Sequence, residues 1–564
     1  MANQTKMAHY EEAVKHFSRA IDLDPTFVVP YLYRGDVYRS MGKFDEAIDD
    51  YSTAIKLTQQ PAEAYYGRGM AHGAKGDIDK SIEDFTKAIQ HEPDYAEAYY
   101  HRGNGYVIKD EFDRAIKDCD KAIELDPDIA DAYVVRGNAH SSIGQVDLAV
   151  MDFNKAIQLK PDYTNAYVAR GIAYNRKGRH DLTIADYTKA LELEPNYADV
   201  YVMRGDVNLL IDDFEAAIAD CEKVMKLIPN DAAPYITRAT AYSFKSDLEA
   251  AMSDCNSAIE RNPKAADAYL IRGMAFSNKG DYDLAIMDFA KVIRLVPHNF
   301  NAFYERGNAY SSQGEFDKAI EDYMKVIKLN PYHVGCYINR GIAYGRKRQF
   351  GKAIADFNTV IQLQPDYVPV YVDRGVTFAV KGDFDNAIAD FTRALQLNPL
   401  WEALYYNRGK VYSSQSNFDM ALADFNIAIQ INPGFARAYY SRAKIWLHLQ
   451  KWERARIDLT NAGNRGVNIT GAFHNDYKSI EGFEEQIGVK LPDDITAMLI
   501  EKKEKTQSEP TEESLYQPTS EIDRRLSKEI IKNLAQQRGR TQNQFTPINP
   551  SKPSRGIEHR LFAQ

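Results

Sequence analysis

The chain has 564 residues, 44% of them hydrophobic and 27% charged, with 80 acidic against 70 basic side chains and a net charge of −10. Such an acidic body is a poor host for a phosphate backbone, which makes nucleic acid unlikely in any groove it forms. The opening MANQTKMAHYEEAV has no apolar signal core, no stretch approaches a membrane span, and Cys119, Cys221, Cys255 and Cys336 form no CxxC, so a cytoplasmic protein without a disulfide framework is the default expectation.

In chain order, residues 1–27 come first. The stretch Glu11–Pro25, EEAVKHFSRAIDLDP, carries Ala13, Phe17 and Ala20 on one helical face and is stopped by Pro25. It reads as the second half of a two-helix module whose first helix is absent. Three readings stand beside it: a misplaced start, a frayed end, or an edge that self-associates, with the first two ranked above the third.

From residue 28 a strict period of 34 takes over. An arginine recurs thirteen times, from Arg34 to Arg442, and an aspartate follows each one sixteen residues later, from Asp50 to Asp458. A fixed period of this length means one small unit copied and stacked. In residues 96–129, Tyr99, Tyr100, Gly103 and Tyr106 mark one face of a first helix. Ala115, Ile116, Cys119, Ala122 and Ile123 mark the stripe of a second, and Pro127 ends it. Between the two lies Asp110, where most sister units carry glycine to close a helix in the left-handed conformation. The Gly103 slot is glycine in every unit except for Ala239 and Ala443, which lets two helices approach closely.

This order of aromatic, Gly-x-x-aromatic, Ala, aromatic, Ala and Pro resembles the tetratricopeptide repeat family over residues 28 to about 462. The resemblance implies an all-α, right-handed superhelical α-solenoid of about thirteen units at residues 28–469, with no catalytic residue, cofactor or metal, that acts as a scaffold binding protein partners. The sequence departs from the family in placing Arg, rather than the usual Leu, before each glycine. The structural reading is a ladder of ion pairs, represented by Arg102–Asp118, Arg136–Asp152 and Arg170–Asp186; the functional alternative, an anion track, requires free arginines.

By the same resemblance, the first helix of each unit lines a concave groove, and the Tyr100 and Asn104 slots point into it. The candidate peptide-binding residues are therefore Tyr66, Tyr100, Asn104, Val134, Asn138, Tyr304, Asn308, Tyr406 and Tyr440. Aromatic rings supply contact area at low entropy cost, and asparagine both donates and accepts to an extended backbone. The competing reading is that the Tyr100 slot packs against neighbouring helices. Family members that clamp acidic chaperone tails need Lys in the Tyr100 slot; no unit here has one, which disfavours that use.

The thirteenth unit is atypical, with Ala443, Trp446 and Trp452, as terminal units often are. Residues 470–503 predict a helical cap, with Ser479 starting one helix, Gly488 closing it and Pro492 starting another. Residues 504–564 are polar and predicted to be largely disordered. From Arg524 onward nine basic residues face only Glu529 and Glu558. This basic tail suggests two alternatives to a plain scaffold: regulation by the tail, or association with nucleic acid through the tail alone. No Walker loop, HExxH, GxSxG or dinucleotide fingerprint occurs, and no enzyme activity is expected.

Overall fold

The computed structural model describes residues 2–500, which form thirty α-helices and, among the described residues, no strand. The chain opens with one continuous helix, Ala2–Leu23, followed by two-helix modules at the predicted period. In residues 96–129 the helices are Ala96–Ile108 and Phe112–Leu125. The described residues fall into two compact units, 2–263 and 264–500. In both, each helix packs on its sequence neighbours, the local, linear contact pattern of a solenoid.

The packing rule is a small residue against an aromatic one. Sixteen residues after each glycine of the first helix, the second helix presents a buried side chain such as Phe153, Tyr187 or Phe289, each 1% exposed or less. At Gly137 an added Cβ would lie 2.6 Å from the Phe153 ring, so glycine is required there for the helices to meet. The two units that carry alanine instead place a smaller side chain opposite, Cys255 for Ala239 and Leu459 for Ala443. Total volume at the contact is thereby kept. The four cysteines are free and buried small hydrophobes: Cys119, Cys221 and Cys255 fill this second-helix slot, and Cys336 takes the place of Ala98 in a first helix.

The turn between the two helices is held by a residue with positive φ in every repeat. Seven repeats use glycine; Asp110, Asp212, Ser246, Arg348, Ser416 and Gln450 take the same left-handed conformation in the other six, with φ between 56° and 62°. The fixed geometry of the turn overrides the local cost of a side chain there.

Within each unit, consecutive first helices also approach one another, as Ala96–Ile108 does Ala130–Ser142, whereas consecutive second helices stand farther apart. The first helices therefore make the inner face of each unit. After the last repeat, helices Ile469–Tyr477, Ile480–Ile487 and Asp493–Leu499 bury Phe473, Phe483, Ile495 and Leu499 against Leu447 and Leu459. Ser479 Oγ accepts the Gly482 amide at 3.0 Å, and Gly488 closes the helix at φ 71°. The basic tail lies outside the described residues.

Candidate binding surface

Two sets of polar residues run along the repeats. The first is the Arg–Asp series. Arg170 donates from Nε and Nη2 to Asp186 at 2.8 and 2.6 Å, and Arg102 does the same to Asp118 at 2.7 and 2.8 Å. Arg136 reaches Asp152 at 2.6 Å, and the same fork recurs from Arg34–Asp50 to Arg442–Asp458. Burial pushes the Asp186 carboxyl up while Arg170 pulls it back; the short, parallel hydrogen bonds favour the ionised pair. The face of the guanidinium lies near a ring at the start of the same helix, as Arg170 does Tyr167 at 5.5 Å.

The remaining guanidinium nitrogen reaches back to the preceding repeat. Arg68 Nη1 donates to Ser52 at 3.0 Å, Arg102 to Thr86 at 3.2 Å, Arg136 to Asp120 at 2.7 Å and Arg170 to Asn154 at 2.6 Å. Each of these four rungs therefore joins two helices of its own repeat and one of the repeat before. The acceptor sits sixteen residues before each arginine. It was not anticipated from the sequence, although the recurring Ser, Thr, Asn or Asp in that slot is the signal that would have found it. At Arg306 and Arg340 the slot holds Ala290, which has no acceptor, and Met324, whose thioether is only a weak one.

The second set is on the inner face, where the groove candidates do not share one environment. Tyr66, Tyr100, Asn104, Asn308 and Tyr406 are half-buried. Val134, Asn138, Tyr304 and Tyr440 are buried, at 8% exposure or less, and so do not line an open trough. Neighbouring side chains close over them. Tyr304 lies 4.8 Å from the His333 ring, tilted by 45°, and accepts a hydrogen bond from Asn339 of the next repeat at 3.1 Å. Asn308 accepts from both Tyr323 and Asn339 at 2.9 Å. Tyr440 donates to Asp476 of the terminal helices at 3.1 Å, and Lys444 joins the same carboxylate at 2.7 Å.

Residues 62–163 hold a different arrangement. The rings of Tyr66 and Tyr95 lie 4.9 Å apart, and His101 packs 4.1 Å from Tyr100 and 5.6 Å from Phe85. Burial, with Arg39 nearby, drives the His101 pKa down to about 3, so this imidazole is neutral. The hydroxyls of Tyr66, Tyr95 and Tyr100 have no hydrogen-bond partner among the described residues, and burial followed by the charge of Glu97 pushes the Tyr66 hydroxyl up to about 12. Glu63, Glu97 and Asp131 occupy the second position of successive first helices; the first two are exposed, and Asp131 accepts the Tyr163 hydroxyl. These acids and Tyr95 escaped the sequence reading, which followed only two slots of the first helix.

A stack of two-helix modules with a varied inner face defines a helical-repeat scaffold. Tetratricopeptide repeat models match residues 62–95, 96–129, 164–197, 198–231, 236–300, 300–333, 338–400 and 403–435, and a TPR repeat model matches 35–76 and 137–178. The chain belongs to the tetratricopeptide repeat family, and is a protein–protein interaction scaffold. No curated protein matches it. Among solved structures, MamA is 34% identical over 29% of this chain and 96% of its own, with a TM-score of 0.27. YrrB, a TPR protein with an unusual peptide-binding site, is 24% identical over 32% of this chain and 92% of its own, at 0.30. Yeast Tom70 is 17% identical over 81% and 96%, at 0.32. Among the described residues no helix is long and apolar enough to cross a membrane.

Proposed function

We propose that the chain is a non-catalytic scaffold that holds an extended or helical segment of a protein partner along the inner face of its first helices. The observation that carries this reading is the contrast along a single helix. In every repeat the arginine is engaged with an aspartate, while the accessible members of the slot two residues later change from Met70 to Asn104, Ile342 and Lys410. Packing alone gives no reason for the accessible positions of one inner slot to run through thioether, amide, aliphatic and cation. A recognition surface does, because each position meets a different part of its partner.

Groups that could grip a segment are present at Tyr66, Tyr100, Asn104 and Tyr406, all partly accessible. The test is selection from a random peptide library displayed on phage against the immobilised full chain. Selected peptides should bind the wild type and lose at least ten-fold in affinity against Asn104→Ala combined with Glu97→Lys. They should bind unchanged to Met151→Ala, which alters a 65%-exposed residue of a second helix. Failure to select any binder, or binders indifferent to the inner-face changes, would refute the reading.

A further inference from the structure

The inner-face slot just before each ladder arginine has a recurring geometry. Its side chain reaches back to the preceding repeat, at the slots held there by Tyr304 and Asn308. Asn339 donates to the Tyr304 hydroxyl at 3.1 Å and to the Asn308 amide oxygen at 2.9 Å. Thr237, in the same slot of another repeat, donates to Asp206 at 3.3 Å. The period of 34 carries this register forward within the compact unit that begins at residue 264. It puts Asp373 opposite Ile338 and Ile342, and Asn407 opposite Val372 and Val376. Ile338 and Val376 are buried in one apolar core, and Ile342 and Val372 pack against it, partly exposed. None of the four can donate or accept a hydrogen bond.

Asp373 is thereby left alone. It is half-buried, yet its carboxylate makes no hydrogen bond or ion pair among the described residues. The guanidiniums of its own and the adjoining repeats are committed elsewhere. Arg374 donates to Asp390 at 2.8 and 2.6 Å, Arg340 to Asp356 at 2.8 and 2.7 Å, and Arg408 to Asp424 at 2.9 and 2.8 Å. Lys410 lies over the Tyr406 ring at 5.9 Å. Burial pushes up the Asp356 and Asp390 carboxyls too, but in each case the ladder arginine opposes the shift. Nothing opposes it at Asp373, which burial alone pushes up to about 7. The amide of Asn407, one repeat on, is likewise half-buried without a partner. A carboxylate withdrawn from water with neither cation nor donor is costly to the free chain, and a group held in that state on a binding face is a candidate for function.

The chemistry that completes this site is a cation with several N–H groups. A carboxylate accepts two parallel hydrogen bonds from a guanidinium fork, and the Asn407 amide oxygen is a further acceptor. The aliphatic walls suit the methylene stem of the same side chain. A guanidinium is also more weakly hydrated than an ammonium, so it enters a half-buried, apolar-walled site at lower cost.

We propose that Asp373 and Asn407, walled by Ile342 and Val372, form a receptor for the guanidinium of an arginine in a bound partner segment. The inference rests on the inner face being the working surface, and names the chemistry recognised at one position along it.

The experiment selects a random dodecapeptide library displayed on phage in parallel on the full chain and on its Asp373→Asn variant, which keeps the side-chain volume. Peptides recovered with the wild type alone should share an arginine. A synthetic peptide from that set should lose at least ten-fold in affinity to Asp373→Asn. It should lose at least ten-fold to the wild type when its arginine is replaced by citrulline, which keeps the shape and removes the charge. The two losses should not add when combined, and Glu321→Gln, at an exposed acid of a second helix, should leave affinity unchanged. Identical peptide sets from the two arms, or losses that add in full, would overturn the proposal. Peptides that in that event still lose affinity to Asn104→Ala with Glu97→Lys would leave the scaffold reading standing; recovery of no peptide from either arm would remove both.

Discussion

The arginine ladder and the inner face follow the same first helices, yet they treat repetition in opposite ways. Along the ladder, Arg and Asp are held in every repeat and the bidentate geometry barely changes from Arg34–Asp50 to Arg442–Asp458. Two residues beyond each arginine, the accessible positions change from Met70 to Asn104, Ile342 and Lys410. A contact that must be made in each repeat to join it to the next tolerates no variation, because the guanidinium is half-buried and an unpaired partner would be costly. A surface that meets a non-repeating ligand gains nothing from uniformity. Constancy along this chain therefore marks packing, and the proposed function assigns the accessible variation to recognition.

The sharpest way to break that distinction is at the ladder. Asp186→Ala leaves Arg170 without its carboxylate in a half-buried site, and should lower stability by about 3–5 kcal/mol; thermal unfolding followed by circular dichroism measures it, and an unchanged midpoint would show the rungs to be dispensable. Next in size is the glycine contact. Gly137→Ala drives a methyl toward the Phe153 ring and should cost about 1–3 kcal/mol. Combining it with Phe153→Cys, which reproduces the natural Ala239–Cys255 pair, should recover part of the loss in a double-mutant cycle; strict additivity would mean the two side chains are not coupled.

The turn offers a smaller effect of opposite sign. Arg348 sits at φ 58° where sister repeats use glycine, so Arg348→Gly should raise stability by about 1 kcal/mol, a shift read from the urea midpoint. A destabilised variant would show that the Arg348 side chain makes a contact worth more than the backbone relief. The inner face supplies the least uniform prediction. Burial raises the Asp373 carboxyl from 3.8 to about 7, so the folded state holds its proton more tightly than the unfolded chain does. Stability associated with this group is fully present below pH 3.8, and declines as pH rises toward 7. Asp373→Asn should accordingly stabilise the protein more at pH 8 than at pH 4, and equal shifts at the two pH values would locate the carboxyl in water.

The fold was legible because its causes are short-range and repeated. Period, glycine slot, aromatic slot and terminating proline each have a local physical reason, and thirteen copies make the pattern hard to miss. Arg–Asp contacts follow from a sixteen-residue spacing that spans one helix-turn-helix. The inner face was less legible, because a slot shared by all repeats has different neighbours in each. Tyr304 is covered by Asn339 and His333, whereas Tyr100, in the same slot, is left half-buried beside His101. Those covering residues lie 29 to 35 positions away and are chosen independently in each repeat, so no slot-by-slot transfer could tell an open Tyr100 from a closed Tyr304. The acids at Glu63, Glu97 and Asp131 escaped notice for a related reason, since acids in the first turn of a helix have a routine explanation in the helix dipole.

The most direct test of the inner face as the working surface is hydrogen exchange by mass spectrometry on the full chain, with and without a saturating library-selected peptide. The account predicts protection confined to first helices such as Ala62–Lys75, Ala96–Ile108 and Ala130–Ser142, with second helices such as Phe112–Leu125 and Val146–Leu159 unchanged. Protection concentrated on the second helices, with the first helices exchanging as in the free chain, would contradict it.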